Sequence, residues 1–495
     1  MRKLIGVFII SLLITVVATP TFINEGRVFR VQAQDNEIII GVVTSRSGVL
    51  SYYGDMEING LILGLMYELG IDDFEIVKTN FEWKLTWGDK IIRIIAEDDV
   101  DPSTGLPDAS IASQKAKLLI EDKKADILQG CASSDSAIAV SKVASQYGVV
   151  FLVSPAADSD ITGKYFNRYT FQISSNTWHD ALTGADWAVK NLGKKFAFIA
   201  PAYSWGYSTV EKWKAVIEKA GGTVVDIEYA PLTTTDFTPY LKKILDSGAE
   251  VLIPVWSGSS AINLYQQMKE LGIYDKMNVT SGIPDVATYN MVLWQYLPIY
   301  TGMMKYAWSL PNNKVNDWLV SKYVELFKQG KLPTMGVYIP AFPLPDLFVG
   351  NGFMTGQAIA LALKKTNGDT SADALIAALE GLEFDSPKGR AKIRAEDHRT
   401  IQDMYIAKMV WDNTTIKQYY DSPDELGIFW NYTWVYGMFV PQLVDTYESV
   451  TPPIETGFVL TPFMIQMIIL TVILVVVLVG AVAFYYFRVK KKEAQ

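Results

Sequence analysis

Residues able to do covalent chemistry are scarce in this chain. It holds one cysteine, Cys131, and two histidines, His179 and His398. Cys131 stands in Gly130-Cys-Ala-Ser-Ser after an apolar run, where a buried small residue is a commoner role than a reactive thiolate. Two histidines leave little room for a His-based triad, and no G-x-S-x-G elbow occurs. Gly193-Lys194 lacks both the upstream Gly and the following Ser/Thr of a phosphate loop, and no G-x-G-x-x-G follows a strand. So few soft ligands argue against structural zinc. Asp98, Asp99 and Asp101 cluster ahead of Pro102 and read as a turn capped by carboxylates rather than as a metal site. Neither an enzyme nor a metal or other cofactor is expected.

Residues able to hold a small solute are better organised. Three loops combine hydroxyl side chains with Gly or Ala: Thr44 to Gly54, Gly130 to Ser136, and Ser154 to Asp158. Each follows an apolar strand pattern, and the first two open helices. Hydroxyls and free backbone N–H groups at helix starts receive carboxylates. The same groups also serve as helix caps, so Ser133, Ser134 and Ser136 fit both roles.

The elements that would position these loops alternate regularly. Ile38–Val43 is a β-branched strand pattern, followed by a helix over Met56–Leu69 that Gly70 closes. Strand Ile91–Ala96, a helix carrying Ala112, Ala116, Leu119 and Ile120 on one face, strand Ile127–Leu128, helix Ser136–Gln146 and strand Val149–Val153 continue the series. A second series runs from Tyr169 to about Thr280, with later units at Gly302–Tyr306, Val315–Gln329 and Gly356–Lys365. Buried strands alternating with helices imply parallel sheets covered on both faces. The expected fold is α/β, with two doubly wound parallel-sheet lobes. Residues 416–447 fit the pattern poorly. They are rich in aromatics and could close the second lobe, shield the cleft, or face a membrane or partner.

At 495 residues, with 49% hydrophobic residues and 13 Trp, the chain has ample core for two or three domains. The formal charge of −9 disfavours nucleic acid as a partner. Both ends are basic. Arg2 and Lys3 precede the apolar run Leu4–Ala18, which reads as a secretory signal. Cleavage would follow Ala18 or, preferably, Ala33. At the other end Phe463–Phe487 is almost wholly apolar and would extend roughly 37 Å as a helix, enough for a ~30 Å hydrocarbon core. Arg488, Lys490, Lys491 and Lys492 follow, and basic flanks stay cytoplasmic. The expected topology is an extracellular body tethered to the cell membrane by one C-terminal helix.

The ordered loops resemble those of type I periplasmic binding proteins, in particular the branched-chain amino acid and amide-binding families. Ser47-Gly48 through Tyr53-Gly54 is similar to their S-G-x-x-x-x-Y-G. Asp98-Asp99-Val100-Asp101-Pro102 is a shortened D-D-x-x-D-P. Gly130 to Ser134 matches G-x-x-S-S, and Ser154-Pro-Ala-Ala-Asp158 matches S-P-A-A-T with Asp in the last place. Trp205-Gly206 stands where the families carry Y-G, and Asp236-Phe237 where they carry D-F. The likeness spans about residues 37–410.

The resemblance implies a hinged two-lobed clamp that captures a small solute, an amino acid or an amide, for ABC permease subunits with a separate ATPase. It places the first lobe at 34–172 and 303–400, and the second at 173–302 and 401–447. A stalk at 448–462, the membrane helix 463–487 and a tail 488–495 complete the chain. It implies that Ser133 or Ser134, with the backbone at Ala156, Ala157 and Asp158, holds the solute's carboxylate and amino group. Tyr53 would wall the pocket from the first lobe, and Trp205, Trp256 and Ser257 from the second. Asp285 would receive an ammonium, or simply cap the helix that follows. Asp158 departs from the family's Thr, so it either points away or meets a cationic or amide group. A ligand-sensing receptor ectodomain is the alternative to an importer subunit.

Overall fold

The first strand, β1 (Glu37–Thr44), is buried along seven of its eight residues, which is the environment its Ile and Val side chains require. The structure is a computed structural model. It describes residues 36–455, except 80, 259, 283–284, 298–299, 333–340 and the side chains of 428 and 429. The signal segment, the membrane helix and the basic tail expected from the sequence lie outside the described residues. Among the described residues no helix is long and apolar enough to cross a membrane.

The first lobe is built on β1 with β2 (Glu75–Lys78), β3 (Glu82–Trp87), β4 (Lys90–Asp98), β7 (Ile127–Gly130), β8 (Val150–Val153) and β9 (Thr170–Gln172), in the order β2-β3-β4-β1-β7-β8-β9. Two further short strands, β5 (Val100–Asp101) and β6 (Leu106–Pro107), pair with each other beside it. From β4 to β9 the pairing is parallel. The β2-β3-β4 edge is antiparallel, a departure from the all-parallel sheet expected. The physical reason is connection length. Gly88, at φ +59°, turns β3 straight into β4, and a parallel crossover needs a dozen or more residues.

The second lobe carries β10 (Lys195–Pro201), β11 (Thr223–Ala230), β12 (Val251–Pro254) and β13 (Asn278–Val279), ordered β11-β10-β12-β13 and all parallel. A third, antiparallel sheet, which the helix–strand alternation did not predict, comprises β14 (Thr301–Met304), β15 (Glu383–Ser386), β16 (Gly389–Ile393), β17 (Thr400–Asp412) and β18 (Met438–Val450). Phe384, Ala391 and Ile393 bury into the first lobe's core, while Met304, Tyr405 and Met409 bury into the second's. The aromatic segment 416–447 closes the second lobe: Trp430 Nε1 donates to Ala341 O at 2.9 Å and Tyr420 Oη to Pro343 O at 2.6 Å.

Where the lobes join, three stretches lie side by side. Thr400 Oγ1 donates to Gln172 O (3.2 Å), Gln402 Nε2 to Ile173 O (3.1 Å) and Lys305 Nζ to Ser175 Oγ (3.2 Å). The expected stalk begins inside β18, and its next residues are clasped at this junction. Pro452 O accepts from Arg394 Nη1 and Pro453 O from Arg399 Nη1, both at 2.8 Å. Glu455 pairs with Lys212 at 3.1 Å and Arg399 at 3.3 Å.

Two helices of the first lobe, Ser51–Leu69 and Leu347–Thr366, cross in backbone contact. A Cβ on Gly60 would fall 2.3 Å from Val349 O, one on Gly64 2.1 Å from Phe353 O, and one on Gly352 2.3 Å from Glu57 O. Only glycine permits this approach.

Candidate functional site: the cleft between the lobes

The acidic cluster organises the first loop, as a capped turn should. Asp99 Oδ1 accepts from Ser45 Oγ (2.7 Å), and Asp98 accepts from Arg46 N (2.8 Å) and Ser47 Oγ (2.6 Å). Gly48, at φ +68°, brings the chain to the helix that presents Tyr53. The second loop leaves β7 through Gly130, where a Cβ would strike Val43 O. Its Ser134 Oγ accepts from Asp158 N at 3.2 Å, which ties the second loop to the third. Behind both lies a buried trio. Ser154 Oγ donates to Glu57 Oε2 (2.8 Å), and Gln129 Nε2 hydrogen-bonds Glu57 Oε1. Burial pushes the Glu57 carboxyl up to about 8.

In the second lobe, Trp256 donates Nε1–H to Ser260 Oγ (2.9 Å) and packs edge-on to Phe237. Trp205 tilts against Tyr203, with ring centroids 5.9 Å apart. Asp285 does cap its helix, accepting from Thr288 N at 2.7 Å, and the Tyr53 hydroxyl of the opposite lobe lies near enough to favour its ionised form. Burial raises the Asp285 carboxyl. The adjacent Asp346 is raised further, by burial and by the Asp285 charge. Contacts between the lobes include Gly258 N donating to Tyr53 Oη at 3.5 Å, Ser159 Oγ meeting Ser208 Oγ at 3.5 Å and Val286 N donating to Asp346 Oδ2 at 2.5 Å.

Between these elements lies a cavity of about 120 Å³. At roughly 10–15 Å³ per water-sized group it admits about ten such groups, the size of a single amino acid. The first lobe contributes Leu50, Tyr53, Ala132, Ser134, Pro155, Ala157 and Phe348 to its walls, and the second Tyr203, Trp205, Thr209, Trp213, Trp256, Ser257 and Asp285. A mostly apolar and aromatic wall with a few polar groups is the usual form of a small-molecule site.

Of the residues expected from the sequence, the structure brings together Tyr53, Ser134, Ala157, Trp205, Trp256, Ser257 and Asp285 on this wall. Ser133 and Ala156 sit behind it. Ser133 precedes the first turn of its helix, and Ala156 O accepts from Gln172 Nε2 at 3.2 Å. Asp158 points away from the cavity. Its Oδ1 caps a short turn by accepting from Asp160 N at 2.9 Å, and the side chain borders a separate groove.

Sequence reasoning missed the pair Lys305–Asp180. Lys305 Nζ lies 2.8 and 2.9 Å from the two Asp180 oxygens, and both residues line the cavity. A lysine inside the otherwise apolar strand pattern Gly302–Tyr306 was the available signal. Cys131 and His179 are fully buried; His179 Nε2 contacts Thr400 O at 2.9 Å in the junction. Among the described residues no group of three or more His, Cys, Asp or Glu is placed to hold a metal.

Two lobes on a shared junction, with a solute-sized cavity walled by both, define a clamp-type solute receptor. Residues 37–415 match the periplasmic binding protein family, and the chain belongs to that family, the substrate-binding proteins of ABC transporters rather than enzymes. Among its relatives is Leu/Ile/Val-binding protein homolog 6 of Brucella melitensis, 25% identical over 358 residues, covering 70% of this chain and 83% of that protein. An ABC-type branched-chain amino acid transporter protein from Rhodopseudomonas palustris superposes with a TM-score of 0.62 at 26% identity, covering 85% of this chain and all of that one. An R. palustris solute-binding protein in complex with 4-hydroxybenzoate shares the fold, with a TM-score of 0.66 at 19% identity over 86% of this chain and all of that one.

Proposed function

We propose that this chain is the membrane-anchored extracellular solute-binding subunit of an ABC importer. Its solute is a compact molecule with an apolar or aromatic body, of the amino acid class. The carrying observation is that the cavity is lined by both lobes, so that closure of one on the other would bury the solute and opening would release it to a permease. The relatives named for leucine, isoleucine, valine and amino acids support the class. In this reading Asp285 receives the ammonium, the Ser134 hydroxyl and the loop at Ala157 receive the carboxylate, and Trp205 and Trp256 wall the body. The apolar segment 463–487 supplies the anchor, placing the clamp on the outer face of the cell membrane.

The test is binding to the full-length protein in detergent, followed by Trp fluorescence, since Trp205, Trp213 and Trp256 line the cavity. L-Leucine, L-phenylalanine, 3-phenylpropanoate and urea form the panel. Asp285→Asn should weaken amino acid binding about 10–100-fold, the worth of a charge-assisted hydrogen bond, and leave 3-phenylpropanoate unchanged. Wild-type protein that binds no amino acid or related acid overturns the reading.

A further inference from the structure

Lys305 sits on the cavity wall. Its Nζ has one carboxylate partner, Asp180, and one hydroxyl, Ser175 Oγ. Asp180 is not exclusive to it. Lys388, fully buried behind, also lies in the field of Asp180, and it feels Lys305 as a like charge. Lys388 itself donates to neutral groups, Gln402 Oε1 at 2.7 Å and Met404 Sδ at 3.6 Å. Burial lowers the Lys388 amine to about 7, and half-buried Asp403 is the other anion acting on it.

A second donor stands nearby. Trp213 is buried and lines the same cavity, and its Nε1–H has no acceptor among the described residues. Gly184 packs against both the Trp213 ring and Met303, which stands two residues before Lys305, so the two donors occupy the same part of the wall. Asp285 belongs to a different cluster, with Tyr53 and Asp346. An unsatisfied buried ring N–H on the cavity wall calls for an acceptor, and the neighbouring Lys305 ammonium favours an anionic one.

We infer that the solute carries a carboxylate that Lys305 and Trp213 receive, which makes Lys305 a specificity-determining residue. This rests on the solute-binding reading above and specifies the acid: an acidic amino acid whose α-carboxylate stays at Ser134 and Ala157, or an aromatic acid in place of an amino acid. The same chemistry has two sources, the side-chain carboxylate of an acidic amino acid or the sole carboxylate of an aromatic acid.

The experiment measures dissociation constants of the full-length protein for two matched pairs, L-glutamate with L-glutamine and benzoate with benzamide, and for L-leucine. Wild type should prefer the carboxylate over its amide in at least one pair, and the pair concerned identifies the source. Lys305→Met should reduce that preference about 10–100-fold, and Lys305→Arg should restore part of it. Because Lys305→Met strands Asp180 in the interior, the double variant Lys305→Met/Asp180→Asn serves as the folded control and should show the same loss. Trp213→Phe keeps the ring, removes the N–H and should weaken the carboxylate about 2–10-fold. Equal affinity for carboxylate and amide, or a preference that survives Lys305→Met, overturns the inference while leaving the solute-binding reading intact. Wild-type protein that binds none of the five probes overturns the inference, and failure to bind L-phenylalanine and 3-phenylpropanoate as well overturns the solute-binding reading.

Discussion

Replacing Glu57 by glutamine should stabilise the protein at neutral pH and do nothing for it at pH 4. Glu57 is fully buried and makes no ion pair among the described residues; its neighbours are the neutral Gln129 and Ser154. Burial lifts its carboxyl from the ordinary 4.5 to about 8. Below pH 4.5 the folded and unfolded chains both hold the proton, and the group has no effect on the folding equilibrium. Between 4.5 and 8 the unfolded chain releases it and the folded chain keeps it, so folding loses about 1.4 kcal/mol per pH unit. Above 8 both have released it and the loss is constant. At pH 7 the accumulated cost is about 3 kcal/mol. Glutamine has the same shape and no proton to lose, and its amide can still bond Gln129 and Ser154. The Ser154 hydroxyl, turned to accept, takes the proton of a protonated Glu57 or an N–H of the glutamine, while Gln129 Nε2 keeps donating to the remaining oxygen. Urea unfolding of wild type and Glu57→Gln at pH 4, 5.5 and 7 should give differences of about 0, 1 and 3 kcal/mol. A variant destabilised by the same amount at all three pH values would show that Glu57 is ionised in the fold and refute the reasoning.

Two further substitutions probe other parts of the architecture. Gly64→Ala gains about 1 kcal/mol of helix propensity at most. Its Cβ would meet Phe353 O at 2.1 Å, however, and overpacking against backbone costs about 1–3 kcal/mol or more, so urea unfolding should show a net loss rather than the gain expected at an exposed helical glycine. Glu455→Gln removes the charge between Lys212 and Arg399 and should cost about 1 kcal/mol; amide exchange should rise around Ser159 and Lys212, and protection equal to wild type at both would count against a clasp there.

Much of the first lobe was legible because its signals are local. Ile38–Val43 announces a strand, Gly70 closes a helix in the left-handed conformation, and the hydroxyl-rich loops follow strands in an order that carries the family likeness. The third sheet was not legible, since β17 and β18 pair across Trp411 and Phe439, far apart in sequence. The same limit applies to the site. Tyr53, Ser134 and Trp205 sit in motifs, whereas Asp180 and Lys305 meet only because two chain crossings bring a helix and a strand end together. Ser133, Ala156 and Asp158 show the converse, that a motif fixes a loop's path but not which of its side chains faces the solute. Asp158 turns outward because a backbone N–H two residues on is its nearest unsatisfied donor.

The glycine-mediated helix crossing bears on how this receptor can change its solute. Tyr53 opens one of the two crossed helices and Phe348 the other, and their rings meet edge to face at 5.1 Å. Because the helices touch through their backbones, neither can slide to accept a bulkier neighbour, and the Tyr53–Phe348 wall behaves as a fixed jaw. Adaptation to a larger or smaller solute must then fall on the opposing jaw, where Trp205 and Trp256 stand. Divergence of specificity in this lineage should accumulate there, and at Lys305, before it touches Gly60, Gly64, Gly352 or Gly356.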